Sequence, residues 1–213
     1  MQLKVHLLKL RTKTTFGSKK EALPFQMKIT LTILIGIFHL SSLMAQQYET
    51  QQYDLIKKIE EAELRYYPPV MKIKSSRVDG FRALFGYISG DNAANEKIAM
   101  TTPVYMGEDS TGNEVMEFVL PRAMKKEYTP AAGSEKVEVY ESPSGYFIAY
   151  SFGGYALDWV VRKATNTLRT LSEKNEIKIK GTPLLLVYNS PYKFLNRKNE
   201  ILFEVEAETL KMD

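Results

Sequence analysis

The sequence predicts an α+β fold in which one β-α-β unit is written twice, the two sheets curling together with both helices packed on them. Two observations predict it. Strand-like and helix-like stretches follow a single order that recurs along the chain, and matching points sit roughly 75 to 86 residues apart, too far for a solenoid and right for a duplicated unit. Each copy alone is too small and too one-sided to be stable, so the pair forms one domain. It spans residues 46–213, with half-repeats at about 53–121 and 136–206. The chain has no cysteine, so the apolar core alone must hold it together.

The residues ahead of the domain read differently. Met27-Lys28 precede an apolar run from Ile29 to Leu40, then Ser41-Ser42-Leu43-Met44-Ala45 and Gln46. A basic start, a short apolar run and a small residue before a polar stretch make a secretory signal peptide over 27–45, cut after Ala45. The run falls short of the ~20 apolar residues that span a bilayer. No stable membrane anchor is therefore expected after cleavage, and the mature protein is expected to be periplasmic or secreted. Residues 1–26 are basic with one acid, Glu21. They are either an over-called start ahead of Met27 or an organelle transit peptide. The whole chain carries +4, but residues 1–45 hold seven bases against Glu21, which leaves the domain 22 bases, 24 acids and a charge of −2. A nucleic-acid-binding domain shows a basic footprint, so nucleic acid is excluded as a partner.

The first copy opens with strands at Ala62 to Tyr67 and Val70 to Lys74, broken by Pro68-Pro69, a turn signal. A helix from about Asp79 to Ser89 follows, with Phe81, Leu84, Phe85 and Ile88 at i, i+3, i+4 and i+7, one apolar face. Gly90-Asp91-Asn92 ends it, and strands near Ile98 to Met106 and Val115 to Leu120 flank a turn at Asp109 to Asn113. The second copy has strands at Val137 to Tyr140 and Tyr146 to Phe152, then Gly153-Gly154 and a helix from Ala156 to Lys174. Its stripe is Leu157, Val160, Val161, Ala164, Leu168 and Leu171. Strands at Leu184 to Tyr188 and Ile201 to Val205 close it. The halves share wording, Thr102-Pro103-Val104 answering Thr182-Pro183-Leu184 and Glu114-Val115-Met116 answering Glu200-Ile201-Leu202.

Four stretches carry a resemblance: Tyr87 to Asn92, Ile98 to Val104, Ser151 to Tyr155, and Tyr188 to Pro191 with Arg197 to Ile201. In that order they resemble the SOUL haem-binding family over nearly all of residues 48 to 206. The resemblance implies a distorted β-barrel of two pseudo-two-fold symmetric halves, with one helix against each. It also implies a flat tetrapyrrole in a shallow apolar groove beside the first helix, near the loop between the last two strands. Carried over by position, the groove falls on Phe81, Leu84, Phe85 and Ile88, with Tyr192 and Lys193 at the loop.

Haem offers an apolar face, an iron wanting an axial donor and two propionates wanting cations. His is the usual donor, but His6 and His39 both lie in the leader. Met71, Met100, Met106, Met116, Met124 or a Tyr remain, and a strand Met is more often core filler, so no metal ligand is assigned. About 300 Å² of ring face at about 25 cal/mol/Å² offers roughly 7 kcal/mol gross, less the cost of association. Reversible, micromolar binding without iron ligation follows. Arg77 and Arg82 flank the helix start and can pair propionates. The position where the family's binding Arg is expected is Val78, with Arg77 one step off, about 100° round the helix. The helix must also pack on its sheet, so two of its four apolar residues belong to the core and two are partly exposed. Trp159, opening the second helix, has packing into that helix as its simplest reading.

Catalysis has little to stand on. The domain lacks the His and Cys of triads, zinc-histidine sites and thiol nucleophiles. Glu60-Glu61-Glu63 reads as a solvated acidic face, and Gly153-Gly154 as a turn needing positive φ rather than a phosphate loop. The expectation is a monomeric, non-enzymatic binding protein whose partner is haem or another flat tetrapyrrole, held non-covalently. The rival is an effector-binding or protein-interaction module of the same fold with a different apolar ligand.

Overall fold

The computed structural model describes residues 48–206 and Glu208; the leader and the expected signal peptide lie outside the described residues. The elements are β1 (Glu49–Thr50), β2 (Asp54–Ile59), β3 (Ala62–Tyr67), β4 (Val70–Ser76), α1 (Gly80–Ile88), β5 (Thr101–Thr102), β6 (Val104–Glu108), β7 (Glu114–Val119), β8 (Glu138–Ser142), β9 (Gly145–Gly153), α2 (Asp158–Lys174), β10 (Ile179–Val187) and β11 (Lys198–Val205). β1 and β5 form a small parallel pair. The other nine strands make one antiparallel sheet in the order β2-β3-β9-β11-β10-β6-β7-β4-β8.

The fold is α+β, but the sheet is not closed into a barrel, which corrects the expectation drawn from the resemblance. The reason lies in a strand the periodicity did not reveal. β2 bonds the outer edge of β3, the edge that closure onto β8 would need. β2 is mostly exposed and carries Asp54, Lys57 and Lys58, charges that discourage further strand addition.

The sheet is nevertheless strongly curled. β3 and β4 lie six places apart in the strand order, about 29 Å in a flat sheet at about 4.8 Å per strand. Pro68-Pro69 is the whole link between them, and so short a link spans only about 10 Å. Pro143 and Ser144 join β8 to β9 across the same six places. Two short crossings therefore draw the ends of the sheet towards each other without pairing them.

Alternation along the strands sorts side chains onto two faces. Both helices cover the outer face, α1 over β4 and β7, α2 over β9, β10 and β11. Ile73, Leu84, Tyr87, Ile88 and Phe118 form one core there; Ile148, Ala164, Leu168, Ile201 and Phe203 form another. The inner face holds Tyr67, Tyr105, Ala149, Leu186 and Leu202. In α2 the stripe runs through Ala164 and Leu168, flanked by Val161 and Leu171. Leu157 falls outside it, because it is the exposed extended residue before the first turn. Trp159 is exposed too, on the turn's solvent side.

The shared wording of the halves does not mark equivalent positions. Val104 packs under α1 on the outer face and Leu184 on the inner face; Glu114 is exposed and Glu200 buried. The other short motifs shape turns. Asn92 is buried, donating to the carbonyls of Tyr87 and Glu96 and accepting from the N–H groups of Ala94 and Glu96. It pins the chain as it leaves α1. Gly154 adopts φ 80°, a conformation that favours glycine, and turns the chain from β9 towards α2.

Candidate functional site

α1 divides its apolar residues between two directions. Gly80, Leu84, Tyr87 and Ile88 are buried, and Gly80 lets the helix start close to β7, where an added Cβ would sit 3.1 Å from the Met116 Cβ. Phe81 and Phe85 lie about 90° round the axis and are 53% and 50% exposed. Their rings stack, with centroids 5.8 Å apart and planes 10° from parallel, and Phe81 meets the Phe118 ring edge-on at 5.7 Å. Leu84 and Ile88 are sealed in the core and leave the expected groove, because their own packing against Ile73 and Phe118 uses the surface a guest would touch. The two-and-two division expected of a helix that must also pack is what the burial shows.

The predicted cations differ. Arg77 is engaged: its Nη1 lies 2.7 Å from Glu114 Oε1, and its backbone N–H donates to the Glu114 carbonyl. Arg82 is exposed, and its side chain makes no hydrogen bond or ion pair among the described residues. Val78 is almost fully exposed just ahead of the helix.

Strand register brings the helix and the predicted loop to neighbouring places. Phe118 pairs with Val104, and Val104 with Val187. One row of the outer face thus runs from beneath Phe81 to the end of β10, two steps of about 4.8 Å. The loop carrying Tyr192 and Lys193 leaves there, and both residues are exposed. Arg197 holds the loop, donating to the carbonyls of Ser190 and Lys193 at 2.8 Å each.

Of the candidate axial methionines, Met71 and Met116 are buried, and Met100, Met106 and Met124 are partly buried against the α1 core. Among the described residues no cluster of three or more His, Asp or Glu could hold a metal ion. A hollow of about 380 Å³ with no α1 residue in its lining opens where residues 49–54 pass Pro68 and Pro69; Gln51, Tyr53, Met71, Leu120 and Met124 help to line it.

The inner face carries a charged network the sequence did not disclose. Arg65 and Glu200 are 2% and 0% exposed. Arg65 donates to Glu200 through Nη1 and Nη2 at 2.9 and 2.8 Å and to Glu63 through Nε and Nη2 at 2.9 and 2.7 Å. Tyr188 and Ser151 donate to Glu200 at 2.5 and 2.8 Å. Glu63 therefore points into this network instead of standing on a solvated acidic face. Burial alone would raise the Glu200 carboxyl, but the hydrogen bonds and charge of Arg65, with Tyr188 and Lys198, prevail and hold it at about 2. Burial pushes the Tyr188 hydroxyl well up, with the Glu200 carboxylate beside it adding to the rise. Nearby, Lys72 meets Glu117 at 3.0 Å and lies 3.6 Å from the Tyr105 ring centre. Fully paired and enclosed, Arg65 and Glu200 hold the inner face together. The sequence offered no signal for a pair 135 residues apart.

Comparison with solved structures reports on the fold alone. An uncharacterized conserved protein from Listeria innocua superposes with TM-score 0.51 at 9% identity, covering 79% of this chain and 98% of that one. A hydrolase from the same organism gives 0.50 at 9%, covering 79% and 97%. EcmrR in its complex with DNA gives 0.50 at 13%, covering 85% and 67%. No curated protein is similar enough in sequence to count as a match. Residues 48–204, almost the whole of the described sheet and both helices, match the family model for the SOUL heme-binding protein, and the chain belongs to that family.

Proposed function

We propose that the domain binds haem or a related tetrapyrrole reversibly and non-covalently, without a histidine ligand, over the exposed side of α1, and that it does so after export. The observation that carries the site is the Phe81–Phe85 stack, two half-exposed rings held parallel in a chain of a haem-binding family. Such a pair offers a flat apolar platform, and uncommitted Arg82 beside it supplies a guanidinium for a propionate. Arg77 reaches one only by releasing Glu114. Tyr192 and Lys193 stand at the far end of the same row. The signal-peptide pattern over 27–45 supports export, and mass spectrometry of the mature protein is expected to find Gln46 first; a retained Met27 or Met1 would overturn that part.

Titration of the purified protein with hemin is expected to give a saturable Soret shift near one equivalent. Phe85→Glu should weaken it at least about tenfold by putting a charge on the apolar platform, whereas Met124→Ala leaves it in place. The absence of any shift from a folded protein would sink the reading. A second reading, an effector-binding or interaction module for another apolar ligand, is favoured by the hollow at Pro68-Pro69, which no α1 residue lines.

The strand order also supports duplication. If β3, β4, α1, β6 and β7 correspond to β8, β9, α2, β10 and β11, the order from β3 to β8 reads the same from either end. Each half lends its first strand to the other, β3 pairing with β9 and β8 with β4.

A further inference from the structure

Several exposed apolar side chains lie on the β10–β11 loop and the segment that opens α2. Tyr192, Phe194 and Leu195 are 84%, 76% and 79% exposed, three large apolar groups within four residues of the β10–β11 loop. They are held out by the base of the loop. Besides the two carbonyls Arg197 ties down, Asn189 Oδ1 accepts from the Lys198 N–H and Asn199 donates to the Gly154 carbonyl. The Arg197 guanidinium lies 4.4 Å from the Tyr155 ring centre, which sets the loop against the start of the α2 segment. Tyr155 and Leu157 are exposed there as well, and Trp159 shares the next outer turn with Arg162 and Lys163.

Charge separates this region from the rest. Residues 188–199 contain no acid; Arg197 is spent on the loop and Lys198 meets buried Glu200 at 3.1 Å, which leaves Lys193 exposed among the apolar side chains with Arg162 and Lys163 exposed on the neighbouring turn, while residues 46–213 together carry −2. Aromatic and leucine side chains flanked by lysines suit the interface of an anionic bilayer: rings sit at headgroup depth and ammonium groups near lipid phosphate and carboxylate. We propose that the Tyr192–Leu195 loop, backed by Tyr155 and Leu157, docks the protein reversibly on an anionic lipid surface. Three apolar side chains with Lys193, Arg162 and Lys163 make a contact that salt weakens, not an anchor. Among the described residues no helix is long and apolar enough to cross a membrane, so a surface contact is the form of attachment this region offers. The inference rests on the exposure and charge of the loop and not on tetrapyrrole binding.

The test is co-sedimentation of the whole protein, free of hemin, with phosphatidylcholine vesicles that contain or lack phosphatidylserine. Binding is expected to the anionic vesicles only and to fall as salt is raised. Phe194→Glu combined with Leu195→Glu should weaken it about tenfold or more, with an unchanged thermal midpoint because both side chains are exposed. Failure to sediment with anionic vesicles, or equal binding by the double variant or to uncharged vesicles, overturns the proposal. So does wild-type protein that ignores vesicles but dimerises in gel filtration where the double variant does not. A protein that sediments with anionic vesicles yet shows no hemin shift would sink the tetrapyrrole reading and leave this one standing.

Discussion

Glu200→Leu is expected to lower the unfolding free energy by about 3–5 kcal/mol, as read from urea denaturation at neutral pH. The carboxylate is wholly buried and accepts from Arg65, Tyr188 and Ser151. Its removal leaves a guanidinium in the interior with two of its five hydrogen bonds gone. Glu63 still holds one side of that guanidinium, which places the loss toward the lower end of the range. Arg65→Met added to Glu200→Leu should recover part of the loss, since replacing both members of a buried pair is far less costly than stranding one. A single variant as stable as the wild type would show that the network contributes nothing.

The same carboxylate sets a pH dependence. Its folded value of about 2 lies below its ordinary 4.5, so its contribution is complete above the ordinary value and is lost as pH falls through the folded one. About 2.5 pH units correspond to roughly 3 kcal/mol. Wild-type stability should therefore drop more steeply between about pH 4.5 and 2 than that of Glu200→Leu.

Leu84→Ala is expected to cost about 2–5 kcal/mol, with hemin affinity unchanged at temperatures where the variant is folded. Leu84 has no exposed surface and packs with Ile73, Tyr87 and Phe118, so truncation opens a cavity beneath α1 without altering its outer side. Phe85→Glu should do the reverse, since its half-exposed ring contributes less to the core and more to the platform. Thermal unfolding and Soret titration of the two variants separate packing from binding on one helix. A Leu84 variant that loses hemin affinity while folded would mean that the platform depends on the core beneath it.

How far the sequence discloses these roles depends on the range of the interaction. Phe81, Leu84, Phe85 and Ile88 announce a helix by their spacing, and the geometry of one turn forces some to face the sheet. β2 escaped notice because Asp54-Leu55-Ile56-Lys57-Lys58-Ile59 does not alternate, and an exposed edge strand needs no buried face. Open closure was therefore illegible too, since it is β2 that occupies the edge of β3. Arg65 and Glu200 each sit in an ordinary strand, and only the folded register brings them together. The motifs that disclosed the family gave the least about a ligand: Asn92, Arg197 and Asn199 spend their side-chain hydrogen bonds on backbone groups and fix the shapes of loops. Arg77 was singled out for its charge, and nothing in the sequence revealed that Glu114 had claimed it.

The pairing of β3 with β9 and of β4 with β8 governs when the protein can fold as it leaves the ribosome. β3 is made early, but its inner neighbour β9 begins at Gly145, and Glu200, the counter-ion of Arg65, lies in β11, 135 residues later. Until those residues are released, the nascent chain holds β3 with only the exposed β2 hairpin beside it and a guanidinium without its buried partner. Co-translational folding can complete the layer beneath α1 only in part, since β8 and β10 also come later. Final assembly must therefore wait until β11 has been made, in keeping with the slow closure of distant strand pairs.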